Sequence, residues 1–225
     1  DFQTNTREST NMLNDQEEEI EIEEEVSEIY VISSDKLDSL RERAERIRKQ
    51  CIPSDKFITN IFKETLDAGI FEVFSSVFSE AEIKTSTGEC YKNSWEKMRK
   101  LMEDTNLESN PFQPSFPKYY ATGEFSEESI NELLTYPDKS ERQTRFTHPV
   151  RGQGMFAPKS CTVIEKFTIY WLNHEEVIVQ LQVSTENVMY CDTFVTRTNY
   201  HFKQLEDGKC LLEYSMFVDF IKSTM

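Results

Sequence analysis

Residues Cys161–Ser184 read CTVIEKFTIYWLNHEEVIVQLQVS. In the first half Val163, Phe167, Ile169 and Trp171 alternate with Thr162, Lys166 and Thr168. In the second half Val177, Val179, Leu181 and Val183 alternate with Gln180, Gln182 and Ser184. A period of two places each apolar set on one face of a strand, and the short Leu172–Asn173–His174 connection predicts a hairpin. Downstream, Thr193–Phe202 and Leu211–Phe220 repeat the pattern around Glu206–Asp207–Gly208–Lys209, where Asp-Gly suits a tight turn. Strand character begins near Arg142. An antiparallel sheet must cover its apolar face, so helices from the rest of the chain are required, and the fold class reads as α+β.

Those helices have candidates upstream. Ser33–Gln50 predicts a helix capped by Ser34 or Asp35 and ended before Pro53, with a narrow stripe of Leu37, Leu40, Ala44 and Ile47 amid charge. It makes residues 34–52 a charged helical unit ahead of a domain over 53–225. Lys56–Leu66, rich in Phe57, Ile58, Ile61 and Phe62, reads as a strand or a helix. Asp67 would cap a helix whose broad apolar face holds Ile70, Phe71, Phe74, Val77 and Phe78, a core pattern. Ser94–Met102 predicts another helix with Trp95, Met98 and Leu101 on one side. Between Asn110 and Tyr120 the run PFQPSFPKYY carries Pro111, Pro114 and Pro117, which predicts a long loop with exposed rings.

Charge excludes some functions. The 225 residues carry a net charge of −16, against nonspecific nucleic-acid binding, which needs a basic surface. Twelve acids and one Arg give Asp1–Asp35 a charge of −11, leaving −5 for the rest. Residues 1–33, with EEEIEIEEEVSE at Glu17–Glu28, therefore read as an extended or disordered acidic arm, either a solvated linker or a contact for a basic protein partner. The apolar run Ile29–Ile32 could add a short edge strand. No apolar run approaches the ~20 residues of a membrane-spanning helix. Cys51, Cys90, Cys161, Cys191 and Cys210 are widely spaced, and His148, His174 and His201 lack ligand spacing. Free thiols in a reducing compartment, with no metal, cofactor or disulfide framework, are expected. Arg151–Gly152–Gln153–Gly154 lacks the spacing of a phosphate loop and reads as a hairpin loop. Cys191 with His201 or His148 makes no thiol-protease site without an oxyanion hole. No catalytic residue is assigned, and the chain reads as a non-enzyme.

Several motifs, in order, resemble the VASt domain. RQTRFTHPV is similar to its R-x-x-x-Y-x-x-P segment through Arg142 and Pro149, with Phe146 in place of Tyr. MFAPKSCTVIEKFTIYW resembles the strand after its Ala/Gly-Pro-Lys turn. ENVMYCDTFVTRTNYHF resembles the D-V-P-Y-x-D-x-F signature at Val188, Tyr190, Asp192 and Phe194, with Met189 where Pro is usual. GIFEVFSSVFSE resembles the F-x-x-L-F-S-D helix near the start of that domain. The resemblance runs from about Phe57 to Thr224, with a longer segment between Glu80 and Gly123. It implies a START-like helix-grip fold, a curved antiparallel sheet packed on helices. The long gripping helix would start near Met225, so the domain over 53–225 is expected to be C-terminally incomplete. The resemblance also implies a noncatalytic sterol or apolar-lipid module, as in GRAM-domain-containing sterol transfer proteins. Such a module touches membranes transiently at the cytosolic face of endoplasmic reticulum contact sites. Phe167, Ile169, Trp171, Val177, Val179, Leu181 and Val183 are then the candidate cavity wall, though the same row would equally serve as core. Asn110–Tyr120 is a candidate cover, or with the acidic arm a surface for protein partners. Asp192 reads as a turn or capping group. The competing reading is a START-like scaffold subunit without lipid transfer.

Overall fold

In the computed structural model, which describes residues 32–52, 59–79, 83–84, 90–91, 93–151, 158–189 and 191–222, the alternating segments form consecutive antiparallel strands. β6 (Ser160–Trp171) and β7 (Glu176–Glu186) pair with Phe167 opposite Leu181 and Ile169 opposite Val179, so the two apolar rows meet on one face. β8 (Phe194–Gln204) and β9 (Cys210–Phe220) form the second hairpin. It closes at Gly208 with φ +79°, a conformation that glycine adopts without a Cβ penalty. β5 (Lys139–Pro149) starts ahead of Arg142 and pairs with β6.

Two shorter strands complete a curved seven-stranded sheet in the order β1-β9-β8-β7-β6-β5-β4. β1 (Thr59–Leu66) resolves the strand-or-helix ambiguity of its segment, because β9 offers it a partner along its whole length. Phe57 and Ile58 lie outside the described residues. β4 (Thr105–Ser109) escapes sequence reading because Leu107 is its sole partly buried residue. A two-residue pair, β2 (Ile83–Lys84) with β3 (Cys90–Tyr91), stands apart.

The helices divide between the two faces. α2 (Ile70–Phe78), α3 (Ser94–Leu101), α4 (Lys118–Thr122) and α5 (Glu127–Thr135) lie with the main core on the concave face. α1 (Ser34–Arg48) covers the outer face, where Ala44, Ile47 and Cys51 pack on Tyr170, Leu172 and Ile178. Its stripe is as predicted except that Leu37 is only half-buried and Arg43 joins the buried side. Arg43 is 5% exposed, and its guanidinium donates to the carbonyls of Trp171 and Pro137 at 3.3 Å and of Leu134 at 3.5 Å.

Four local expectations are corrected. The N-cap of α1 is Ser33, not Ser34 or Asp35. The cap of α2 is Gly69, whose N–H donates to Glu72, while the Ile70 N–H donates to Gln204 Oε1 at 2.7 Å. Asp67 instead pairs with Lys209 at 3.2 Å, outside the helix. In α3 Trp95 is buried but Met98 and Leu101 are 44% and 75% exposed, because Arg99 takes the inward place. The rings of 110–120 are not exposed: Phe112 and Tyr120 are 1% exposed. The prolines do not bar regular structure throughout, since Pro117 is the N-cap of α4. Free proline-rich backbone lets those rings turn inward, where they wedge between α2 and the sheet.

Candidate functional site

The concave face is built by the inward rows of β5–β9. Phe167, Ile169, Trp171, Val177 and Val179 are all at most 1% exposed, and Leu181 is 8% exposed. Helix α2 sits directly over them. Phe74 meets Trp171 edge-on at 5.6 Å and Phe202 at 6.0 Å, and Phe78 meets Phe167 at 6.2 Å and Tyr200 at 6.1 Å. Phe112, Phe116 and Tyr120 close the same space from the other side, and Tyr120 Oη donates to the Asn173 carbonyl at 2.8 Å. Trp171 Nε1 donates to Ser140 Oγ at 2.8 Å, so the ring buries without an orphan donor.

The same face continues beyond this aromatic lid. Val183 is half-buried, and register carries the row on to Thr196, then Val218, and from Tyr200 to Tyr214 and Phe62. Tyr200 and Tyr214 lie 4.9 Å apart, and Phe62 stacks on Tyr214 at 5.2 Å. Phe62 and Val218 are each 43% exposed. Of the wall predicted from sequence, Phe167 to Leu181 is therefore filled, and the face opens only beyond Leu181, at the half-buried Val183.

A charged cluster, not singled out by the sequence reading, sits on this face. Glu165 is 2% exposed, bonded to Arg99 and accepting from Thr144 Oγ1 at 3.4 Å. Burial pushes its carboxyl above the ordinary range, with Arg99 opposing. Arg99 also reaches Asp104 at 3.5 Å, and Asp104 bonds His148 Nδ1 at 2.6 Å. Arg142 is 5% exposed and stands over Phe112 at 4.2 Å and Phe167 at 4.9 Å, a cation against ring faces. It floors a cleft of about 380 Å³ with Asn93, Trp95 and Ser109. The signal for Glu165 was available: an acid in an inward slot between Val163 and Phe167. Arg99 and Asp104 carry no such mark.

Of the other family-motif positions, Phe146, Pro149, Val188, Asp192 and Phe194 are described. Phe146 is 1% exposed beside Trp95, Pro149 ends β5, and Val188 packs on the core. Phe194 meets Phe220 at 6.3 Å. Asp192 is exposed and bonded to Lys222 at 2.6 Å, which holds its carboxyl below the ordinary range. Tyr190, the acidic arm through Val31, and Gly152–Gly154 lie outside the described residues. His201 faces the outer side, bonded to Glu176 at 2.6 Å, in a groove of about 860 Å³ beside α1. Among the described residues no group of three or more His, Cys, Asp or Glu is placed to hold a metal ion. Cys51, Cys161, Cys191 and Cys210 are free, and burial raises the Cys51 thiol to about 12. No described helix is long and apolar enough to cross a membrane.

A family model described as VAD1 Analog of StAR-related lipid transfer domain, VASt, matches residues 60–225. No match to a curated protein accompanies it.

Proposed function

The chain belongs to the VASt family, and on that premise we propose that it is a noncatalytic module that binds sterol and transfers it at membrane contact sites. The domain type is lipid-binding and the fold START-like, an α+β helix-grip sheet. The observation that carries the reading is the open margin of the concave face, where Val183, Val218 and Phe62 stay partly or largely exposed beyond the lid. A rigid, nearly apolar plate suits such a wall, since aliphatic and aromatic groups demand no hydrogen bonds in return. A fluorescent-sterol titration tests it. The wild-type chain is expected to bind saturably. Leu181→Trp is expected to weaken binding at least about tenfold by filling the margin of the wall, with a near-normal melt. Absence of saturable binding by the wild type would overturn the reading.

A second reading, a START-like scaffold that contacts proteins, is favoured by the complete burial of Phe167, Ile169, Trp171, Val177 and Val179. A face filled in this way is ordinary core. Under that reading Leu181→Trp only overpacks the interior, at about 1–3 kcal/mol, and no sterol binds.

A further inference from the structure

The cleft of about 380 Å³ above Arg142 lies among the described residues of β4, β5 and the first turn of α3. Its size falls within the ~300–1,000 Å³ usual for small-molecule sites. Strand order places it across the sheet from the open margin of the concave face, because Val183, Val218 and Phe62 belong to β7, β9 and β1. The filled row from Phe167 to Leu181 separates the two. Apart from Arg142, every lining residue comes from 93–111. That stretch falls between Glu80 and Gly123, where the chain is longer than the VASt pattern it resembles.

The floor of the cleft is a guanidinium held in place by rings. Arg142 stands over Phe112 at 4.2 Å, Phe167 at 4.9 Å and Trp95 at 5.5 Å. Rings occupy its faces, so its five N–H donors, which lie in the guanidinium plane, are what a ligand can meet. That fork matches the two oxygens of a carboxylate. The two buried carboxylates of the neighbouring cluster, Glu165 and Asp104, are bonded to Arg99. Asn93 is 3% exposed and spends its side-chain oxygen on the Glu96 N–H at 2.9 Å, so its amide offers a ligand chiefly the NH2 donor. Trp95, Leu107 and Pro111 make the remaining wall largely apolar. The half-buried Glu96 also lines the cleft, paired with Lys100 at 3.8 Å, and its charge opposes any second negative charge on a ligand.

We propose that this cleft binds a small organic monocarboxylate with a short apolar body, its carboxylate on Arg142 and its body between Trp95, Leu107 and Pro111. A guanidinium shielded from water binds a carboxylate more strongly than an exposed one does, and the apolar wall adds contact area that a bare ion lacks. Phosphate and sulfate suit the cleft less, since they bring more charge towards Glu96 and nothing to lay against Trp95. The exposed Ser109 and Asn110 form the rim through which such a ligand enters. The site is separate from the open margin, so it holds whether or not that margin carries a sterol.

The test is a titration of the full, sterol-free chain with 3-phenylpropionate, followed by tryptophan fluorescence. Of the two tryptophans, Trp95 lines the cleft and Trp171 is sealed in the core, so the signal reports the cleft. A saturable change in emission is expected. The neutral amide of the same acid is expected to bind at least about tenfold more weakly, because it lacks the charge that the fork meets. Arg142→Lys, which keeps a charge but not the fork, is expected to lose at least about tenfold as well. Glu96→Gln removes the opposing charge and is expected to tighten binding about two- to threefold. Ser109→Phe fills the cleft from its exposed rim and is expected to abolish the response with a near-normal melt, which keeps the test decisive if Arg142→Lys fails to fold. No saturable response by the wild type, equal affinity for acid and amide, or a folded Ser109→Phe that titrates as wild type would overturn the proposal. So would displacement of the acid by equimolar inorganic phosphate, which would make this a general anion site.

Discussion

Arg43 joins α1 to the Trp171 carbonyl in β6, the Leu134 carbonyl in α5 and the Pro137 carbonyl between α5 and β5. Burial disfavours its charge, and Asp138 at 3.5 Å offsets part of that cost. Arg43→Ala is expected to lower stability by about 1–3 kcal/mol in urea unfolding, because it leaves these carbonyls without that donor, while Asp138 keeps Arg46 and Gln50. Asp138 gives the pH counterpart. Its bond to Arg46, together with Gln50, holds the carboxyl below its ordinary 3.8, against the opposing effect of burial. A carboxyl depressed in the folded state contributes stability above its unfolded value and loses it as pH falls through the folded value. Asp138→Asn is therefore expected to melt lower than wild type at neutral pH, with the deficit closing well below pH 3.8. Thermal melts across that range check it, and a deficit that stays constant would remove the ion pairs from the account. At this scale the sequence was legible where alternation holds and silent elsewhere. Glu165 stands out against Val163 and Phe167, but nothing local distinguishes a buried Arg43 from the exposed Arg41.

Elements are fixed by what they pack against, and α1 is the clearest case. It precedes the family-matched residues 60–225, yet Ile47 is fully buried against the outer face of β6 and β7. Ile47→Ala is expected to cost about 2–5 kcal/mol by calorimetry, as for other core truncations. A loss near zero would mean that α1 rides on the sheet without supporting it. Gly123, the C-cap of α4, has φ +77°, and a Cβ there would stand 2.6 Å from Phe71. Gly123→Ala is expected to destabilise by about 1–3 kcal/mol, read from denaturant midpoints. Four long strands and the Phe-rich helix were readable because their periodicity is strong and sustained. β4 and α5 were not, since a five-residue edge strand and a helix with two buried apolar residues leave too little pattern. Segment 110–120 was misread because prolines report backbone, not the direction of the rings. The candidate wall was legible as a face. How much of it is filled depends on Phe74 and Phe78 from a distant helix, which no local period encodes.

Across the whole molecule, β6 and β7 are paired on both sides and covered on both faces, while β1 and β4 are edges. Amide hydrogen exchange is expected to be slowest in Phe167–Trp171 and Val177–Leu181 and much faster in β1 and β4. Equal protection throughout would mean that the sheet opens only as a unit. The pairing of β1 with β9 has a further consequence. Leu66 bonds beside Cys210 and Thr59 beside Met216, so the first strand of the sheet is completed by the last. On a ribosome, Phe62 and the rings of α2 emerge long before the strand that flanks them exists. At ordinary elongation rates that interval is on the order of ten seconds. Until β6 and β8 have been made, the growing chain carries a phenylalanine-rich stretch with no sheet to receive it, and until β9 follows that sheet is incomplete. Its biosynthesis thus depends on whatever shelters a nascent chain, and truncated products that stop before β9 are natural clients for holdases and proteases.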